Sequence, residues 1–191
     1  MDRMQAGVRR VAHQVLPPEP GWSVLDVGCG TGAGLADYAA AGCEVTGVDV
    51  SPAMLKQARL RLGDSATLQL TDGGNLSFQA EMFDLVTSSM VLHEVPAGER
   101  VSLLTDMARV AKPDGHLFLI DFRFGSWRGW RGPVLRVTNG LIERFAGHYP
   151  GYRSFKDSGG IPVIVEQAGL AVEREKIVAG GNLAVYIVSK A

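Results

Sequence analysis

The chain has 191 residues, 46% of them hydrophobic, which suffices for one α/β domain with a real core and hardly for two. A formal net charge of -1 lacks the basic excess of a dedicated nucleic-acid binder. Cys29 and Cys43 form no CxxC pair, no histidine cluster has metal-ligand spacing, no run approaches the ~18 apolar residues of a membrane span, and the N-terminus shows no secretory h-region, so a cytoplasmic protein with reduced thiols is expected.

Residues Met1–Leu16 carry Val8, Val11, Ala12, Val15 and Leu16 at helical spacing, and Pro17, Pro18 and Pro20 end that helix. A strand, Ser23–Val27, runs into the glycine-rich bend Gly28-Cys29-Gly30-Thr31-Gly32, which opens a helix over Ala33–Ala41. A second strand, Glu44–Val48, ends at Asp49, and Ser51-Pro52 reads as an N-cap with proline at the first position of a helix to about Leu62. A third strand, Ala66–Leu70, ends near Asp72, and a loop from Gly73 to Met82 leads to a short apolar strand, Phe83–Thr87. A helix of roughly Gly98–Val110 follows, then the turn Lys112-Pro113-Asp114-Gly115 and a fifth strand, His116–Phe122. Strands alternating with helices imply βαβ crossovers and a mostly parallel sheet.

The alternation breaks at Arg123–Gly160, which reads as a strandless segment with one helix over about Pro133–Ala146 and irregular flanks. It holds Trp127, Trp130, Phe145, Tyr149, Tyr152 and Phe155, and seven basic residues against two acids. A helix near Ile161–Ala168 and strands at Leu170–Val178 and Leu183–Ser189 complete the chain, with Gly180-Gly181-Asn182 as a hairpin signal between the strands.

The glycine bend fits two fingerprints. Gly28, Gly30 and Ala33 satisfy the G-x-G-x-x-G/A pattern of dinucleotide sites, and Asp49 lies about 20 residues further on, where a carboxylate can accept from ribose hydroxyls. A nicotinamide-dependent oxidoreductase is one reading. Asp26, just before the bend, would repel a pyrophosphate and suits an ammonium or sulfonium instead. Asp72, at the end of the third strand, can accept from an adenine amine. The terminal hairpin inserts an antiparallel strand where dehydrogenase halves continue with parallel ones.

Several motifs resemble those of the class I S-adenosylmethionine-dependent methyltransferases, within about Val24–Phe122. Val24–Gly32 is similar to their first motif, Gly47-Val48-Asp49-Val50-Ser51-Pro52-Ala53-Met54-Leu55 to the second strand and helix start, Phe83–Ser89 with Val91-Leu92-His93-Glu94-Val95 to the fourth, and Arg109–Leu117 to the fifth. The resemblance is to the small-molecule branch, which includes quinone-methylating enzymes. It implies a Rossmann-like seven-stranded sheet in the order 3-2-1-4-5-7-6, the last strand antiparallel, with helices on both faces. Residues 1–191 would form a single methyltransferase domain, 1–20 its helical cap and 123–160 a lid after the fifth strand. The cofactor would be S-adenosyl-L-methionine, leaving as S-adenosyl-L-homocysteine. Gly28 and Gly30 would present backbone to its methionine moiety, with Asp26 near the ammonium. Asp49 would hold the ribose, Met54 would cover the adenine face, Asp72 and Gly73 would meet the adenine edge, and Ser88 would line the site beneath the sulfonium.

Methyl transfer from a sulfonium is a displacement at carbon with an activated leaving group, so the protein mainly aligns and desolvates, and no metal is needed. A base matters only where the acceptor must lose a proton. His93 is one candidate, with a structural role as its competing reading, and Tyr149 and His148 are others. No Asn/Asp-Pro-Pro-aromatic signature of DNA amino-methylation and no Pro-Cys nucleophile is present. DNA is therefore not expected. RNA is disfavoured because no RNA-binding domain is added, although the basic segment keeps it open. A small-molecule acceptor remains, aromatic or apolar if Trp127, Trp130, Tyr149 and Tyr152 face it, anionic if the arginines do; the same residues could equally be a lid packed on its own core. Contact of this basic, Trp-bearing segment with a membrane surface is the weaker reading. A non-catalytic S-adenosylmethionine-binding module is the third functional class.

Overall fold

A computed structural model describes residues 2–126 and 149–190. Seven strands join in the order β3-β2-β1-β4-β5-β7-β6: β1 (Ser23–Val27), β2 (Glu44–Asp49), β3 (Ala66–Leu70), β4 (Phe83–Ser89), β5 (Ala111–Phe122), β6 (Leu170–Val178) and β7 (Leu183–Lys190). The helices are α1 (Asp2–Val15), α2 (Ala33–Ala40), α3 (Pro52–Leu62), α4 (Arg100–Val110), α5 (Tyr149–Asp157) and α6 (Ile161–Gln167). The expected sheet order is the observed one. Two units divide the chain, residues 1–89 with 106–118 and residues 90–105 with 119–191.

In the first unit β1 pairs in parallel with β2 and with β4. Val24 to Val27 are all buried, as a strand covered on both faces requires. Leu25 and Leu35 are fully buried, each worth about 1.5–3 kcal/mol relative to exposure. Gly47 on β2 lets the layers approach: a Cβ there would lie 2.6 Å from Leu35 Cδ1 and 2.8 Å from Cys29 Sγ. Edge strand β3 exposes Thr67, Gln69 and Leu70. The loop after it is pinned by Asp106, which accepts from Leu76 N, and by Arg109, which donates to the carbonyls of Leu76 and Phe78.

Extended backbone begins at Ala111, ahead of the turn expected at Lys112–Gly115. This stretch runs beside the start of β4: Lys112 Nζ donates to Asp84 at 2.8 Å, and a Cβ on Gly115 would sit 2.9 Å from Phe83 O.

In the second unit β6 and β7 pair antiparallel with a bulge between Val172 and Arg174. Their connection is a 3-10 turn, Ala179–Gly181, closed by Asn182 Nδ2 donating to Ala179 O at 3.1 Å. β7 is buried from Leu183 to Val188, whereas most of β6 is exposed. The irregular flank expected before Gly160 is instead α5. Pro150 lies in its first turn, where a missing N–H costs nothing, and Tyr152 and Phe155, one turn apart, are both buried. The helix expected over 133–146, with Trp127, Trp130 and His148, lies outside the described residues. No helix among the described residues is long and apolar enough to cross a membrane.

Candidate functional site

The glycine bend sits at the carboxyl end of β1 and is stitched to β2. Gly28 N and Cys29 N both donate to Val48 O, at 2.8 and 3.0 Å. Gly32 is the N-cap of α2 at φ 71, and a Cβ there would lie 2.8 Å from Leu62 Cδ1. Both the left-handed backbone and the close approach demand glycine. No side chain caps α2, so the first-turn N–H groups keep their partial positive charge unspent within the helix.

Asp49 organises the ends of both segments. Its Oδ2 accepts from Gly30 N and its Oδ1 from Ser51 N, each at 2.8 Å. One carboxylate thus fixes the bend and the entry to α3, where Ser51 caps by accepting from Met54 N at 3.3 Å. Asp26 is the contrasting acid. It is only 6% exposed, and no donor among the described residues hydrogen-bonds its carboxylate. Burial, then the Asp49 charge, pushes its pKa up to about 7, against a smaller opposing pull from Arg9. Cys29 is a buried thiol pushed up to about 12, chiefly by burial and then by Asp26 and Asp49, which suits a small packing residue and not a nucleophile.

Asp72 forms a turn with its own chain, Oδ1 accepting from Gly74 N at 2.9 Å, and Gly73 takes φ 86. Val50, Met54 and Leu70, near the same strand ends, leave apolar surface uncovered, at 60, 43 and 61% exposure. A cavity of about 480 Å³ is lined by Val48, Gln69, Thr71, Asp72, Leu76 and Phe78, among others, but by no residue of the glycine bend. It follows the open edge of β3, so the convergence of backbone donors and acids, rather than cavity size, marks the candidate site. Ser88 is buried and donates to Val27 O at 2.9 Å, locking β4 to β1.

His93 belongs to the second unit and is 2% exposed. Its Nδ1 lies 2.8 Å from Asp121 Oδ1, its backbone N–H donates to Asp121 Oδ2 at 3.2 Å, and Phe122 N donates to the same carboxylate at 2.7 Å. A carboxylate on Nδ1 leaves Nε2 as the basic nitrogen; that atom is 3.8 Å from Glu94 Oε1. Asp121 is one more acid near the carboxyl end of a strand, but no glycine, helix cap or turn follows it closely to mark it in the sequence. Arg100 was missed too. It is buried and donates to Val95 O, His93 O, Gly151 O and Ser154 Oγ, with Phe155 beneath it at 5.2 Å. Tyr149 opens α5. Tyr152 packs edge-on against Phe122 and Phe124, with centroids 4.8 and 5.6 Å away, and so serves the core.

A family model described as a methyltransferase domain matches residues 25–119. An uncharacterized methyltransferase of Synechocystis sp. is 33% identical over 168 residues, 87% of this chain and 74% of the relative. The ubiquinone/menaquinone biosynthesis C-methyltransferase UbiE of Burkholderia vietnamiensis is 30% identical over 210 residues, 99% of this chain and 85% of that protein. A SAM dependent methyltransferase from Aquifex aeolicus superposes with a TM-score of 0.66 at 21% identity, over 94% of this chain and 88% of the other, a likeness of fold.

Proposed function

Because the chain belongs to the class I S-adenosylmethionine-dependent methyltransferases, we propose that Asp26, Gly28, Gly30, Asp49, Met54, Asp72, Gly73 and Ser88 form its cofactor cradle and that its acceptor is a small aromatic molecule of the quinone-precursor type. The enzyme uses S-adenosyl-L-methionine. The carrying observation is Asp26, a buried carboxylate with no hydrogen-bond donor among the described residues, beside an uncapped helix start. Such an acid is costly unless a cationic group meets it, and a pyrophosphate would make it costlier. The sheet order and the relatives' names lend no support to a nicotinamide-dependent oxidoreductase or to a non-catalytic module.

In this reading Asp26 faces the ammonium and Asp49, already rigid, accepts from the ribose hydroxyls. Asp72 and Gly73 meet the adenine edge, Met54 covers its face, and Ser88 holds the floor between β1 and β4. When bound, the cofactor supplies a methyl group on a sulfonium. The protein's own work is to align the acceptor and exclude water. His93, oriented by Asp121, takes a proton from the acceptor at Nε2 where one must leave, with Tyr149 as a second candidate. The acceptor class is supported by the quinone-biosynthesis relative and by the aromatic content of residues 123–160. We place the protein in the cytoplasm, in keeping with two buried free thiols.

S-adenosylhomocysteine should raise the melting temperature, NAD(H) should not, and Asp49→Ala should abolish the shift. Release of S-adenosylhomocysteine is then followed over a panel of phenols, hydroquinones, amines and carboxylates. Stabilisation by NAD(H) alone would overturn the cofactor reading, and turnover confined to amines or carboxylates would overturn the aromatic one.

A further inference from the structure

We propose that Arg100, the first residue of α4, is a positioning residue for methyl transfer: its guanidinium clamps the turn of residues 93–95 to helix α5 and so fixes where His93 presents Nε2. This rests on reading His93 as the base that takes the acceptor's proton. Arg100 is only 2% exposed. Its hydrogen bonds all go to uncharged oxygens. Nε donates to Val95 O at 2.9 Å, and the two Nη atoms donate to His93 O at 3.5 Å, Gly151 O at 3.2 Å and Ser154 Oγ at 3.4 Å. Two of these acceptors lie in the turn and two on α5, so one rigid, planar fork spans both segments. Burial pushes the guanidinium below its ordinary range, with the Asp121 charge opposing. An apolar side chain would join turn and helix at less cost; donors of fixed geometry add a register between them.

The His93 ring is held from its other sides. Asp121 Oδ1 lies 2.8 Å from Nδ1, and the rings of Phe122 and Phe155 stand edge-on with centroids 4.7 and 6.3 Å away. Phe155 in turn lies under the Arg100 guanidinium, 5.2 Å from Cζ to the ring centroid. Arg100 therefore acts on His93 twice, on its backbone through His93 O and on its ring through Phe155. One bond from Nδ1 to Asp121 would by itself leave the imidazole free to swing about that bond. Fixing the backbone carbonyl removes the swing and sets the direction of Nε2. A base must meet its proton within hydrogen-bond reach, and a misplacement of about 1 Å can cost on the order of 100-fold in rate.

The test reads His93 itself by nuclear magnetic resonance on full-length protein labelled with 15N-histidine. Wild type, Arg100→Met, Arg100→Lys and Ser154→Ala are compared well below their melting temperatures, and the His93 signals are assigned by their loss in His93→Gln. The ring N–H bonded to Asp121 should exchange slowly with water in the wild type. Arg100→Met, of similar length but without donors, should speed that exchange by at least about 10-fold, and Arg100→Lys should recover part of the loss. The affinity for S-adenosylhomocysteine should change by less than about 2-fold in both. With methylhydroquinone as acceptor, kcat should fall roughly 10- to 100-fold in Arg100→Met while KM holds. A lower melting temperature with unchanged His93 exchange would overturn the proposal, because Arg100 would then only hold the fold. If Arg100→Met does not fold, unchanged exchange in both Arg100→Lys and Ser154→Ala overturns it equally. A loss of S-adenosylhomocysteine affinity as large as the gain in exchange would overturn it too, by moving the action of Arg100 to the cofactor. Wild-type turnover of methylhydroquinone by His93→Gln would instead overturn the reading of His93 as the base, whatever the exchange rates show.

Discussion

Asp26 is where burial and ligand binding oppose each other. Its carboxyl ionises near the ordinary 3.8 when unfolded and near 7 when folded, because burial and then the neighbouring Asp49 disfavour the anion. Between those values the folded protein holds a proton that the unfolded chain has lost. Stability therefore falls as pH rises across that window and levels off above it, by at most on the order of 4 kcal/mol. Asp49 and Arg9 are the charged neighbours that, with burial, set this balance. Asp26→Asn should accordingly stabilise the ligand-free protein at pH 8, with little gain at pH 4, while weakening S-adenosylhomocysteine binding. Urea melts at both pH values check it; a gain of the same size at each would show that ionisation is not the source. At this scale the acids at the ends of β1, β2 and β3 were legible because each precedes a glycine, a helix cap or a turn. Asp121 sits inside the apolar run Leu117–Phe122 and has no such punctuation. Arg9 and Arg100 gain their roles only when distant segments meet, and no local pattern marks them.

The element with the most to teach is α5. Pro150 and Gly151 read as breakers in sequence, and so the flank looked irregular. Proline at a first turn is tolerated, and Gly151 has a tertiary reason: a Cβ there would stand 2.7 Å from His93 O. Arg100 completes the same contact by donating to both His93 O and Gly151 O, at 3.5 and 3.2 Å. Helix α5 thus lies against the backbone of the turn that carries the candidate base. Alanine is the better helix former by about 1 kcal/mol, so propensity alone makes Gly151→Ala stabilising. The close approach predicts the opposite sign, a loss of about 1–3 kcal/mol as helix and turn are forced apart. Urea denaturation measures it, and a more stable variant would show that the approach is loose. The other elements were easier to read because each carried its own signal: proline after serine at α3, buried apolar runs in β1 and β4, and Gly180-Gly181 between β6 and β7.

For the whole molecule, the division into two units separates the candidate groups. All eight proposed cofactor residues fall in residues 1–89, whereas His93, Asp121 and Tyr149 fall in the other unit. The sheet order followed from the resemblance of the motifs within Val24–Phe122 to the methyltransferase family, whereas the residues alone pointed to βαβ crossovers, a mostly parallel sheet and a closing hairpin. The acceptor was not readable, since recognition of a small molecule depends on shape that no spacing in Arg123–Gly160 encodes. Ligand binding raises global stability by mass action, about 2.7 kcal/mol at a hundredfold excess over Kd, and so slows every amide that exchanges by complete unfolding. Amides that exchange by local opening report the site itself. S-adenosylhomocysteine should slow local exchange at residues 28–34, 49–54 and 72–74, where backbone N–H groups surround the bend and the adjoining turns. The β6–β7 hairpin should keep its local rates. Hydrogen exchange followed by mass spectrometry separates the two responses. Protection of residues 170–190 without protection of 28–34 would move the cofactor site into the other unit and dissolve the roles assigned to Asp26 and Asp49 together.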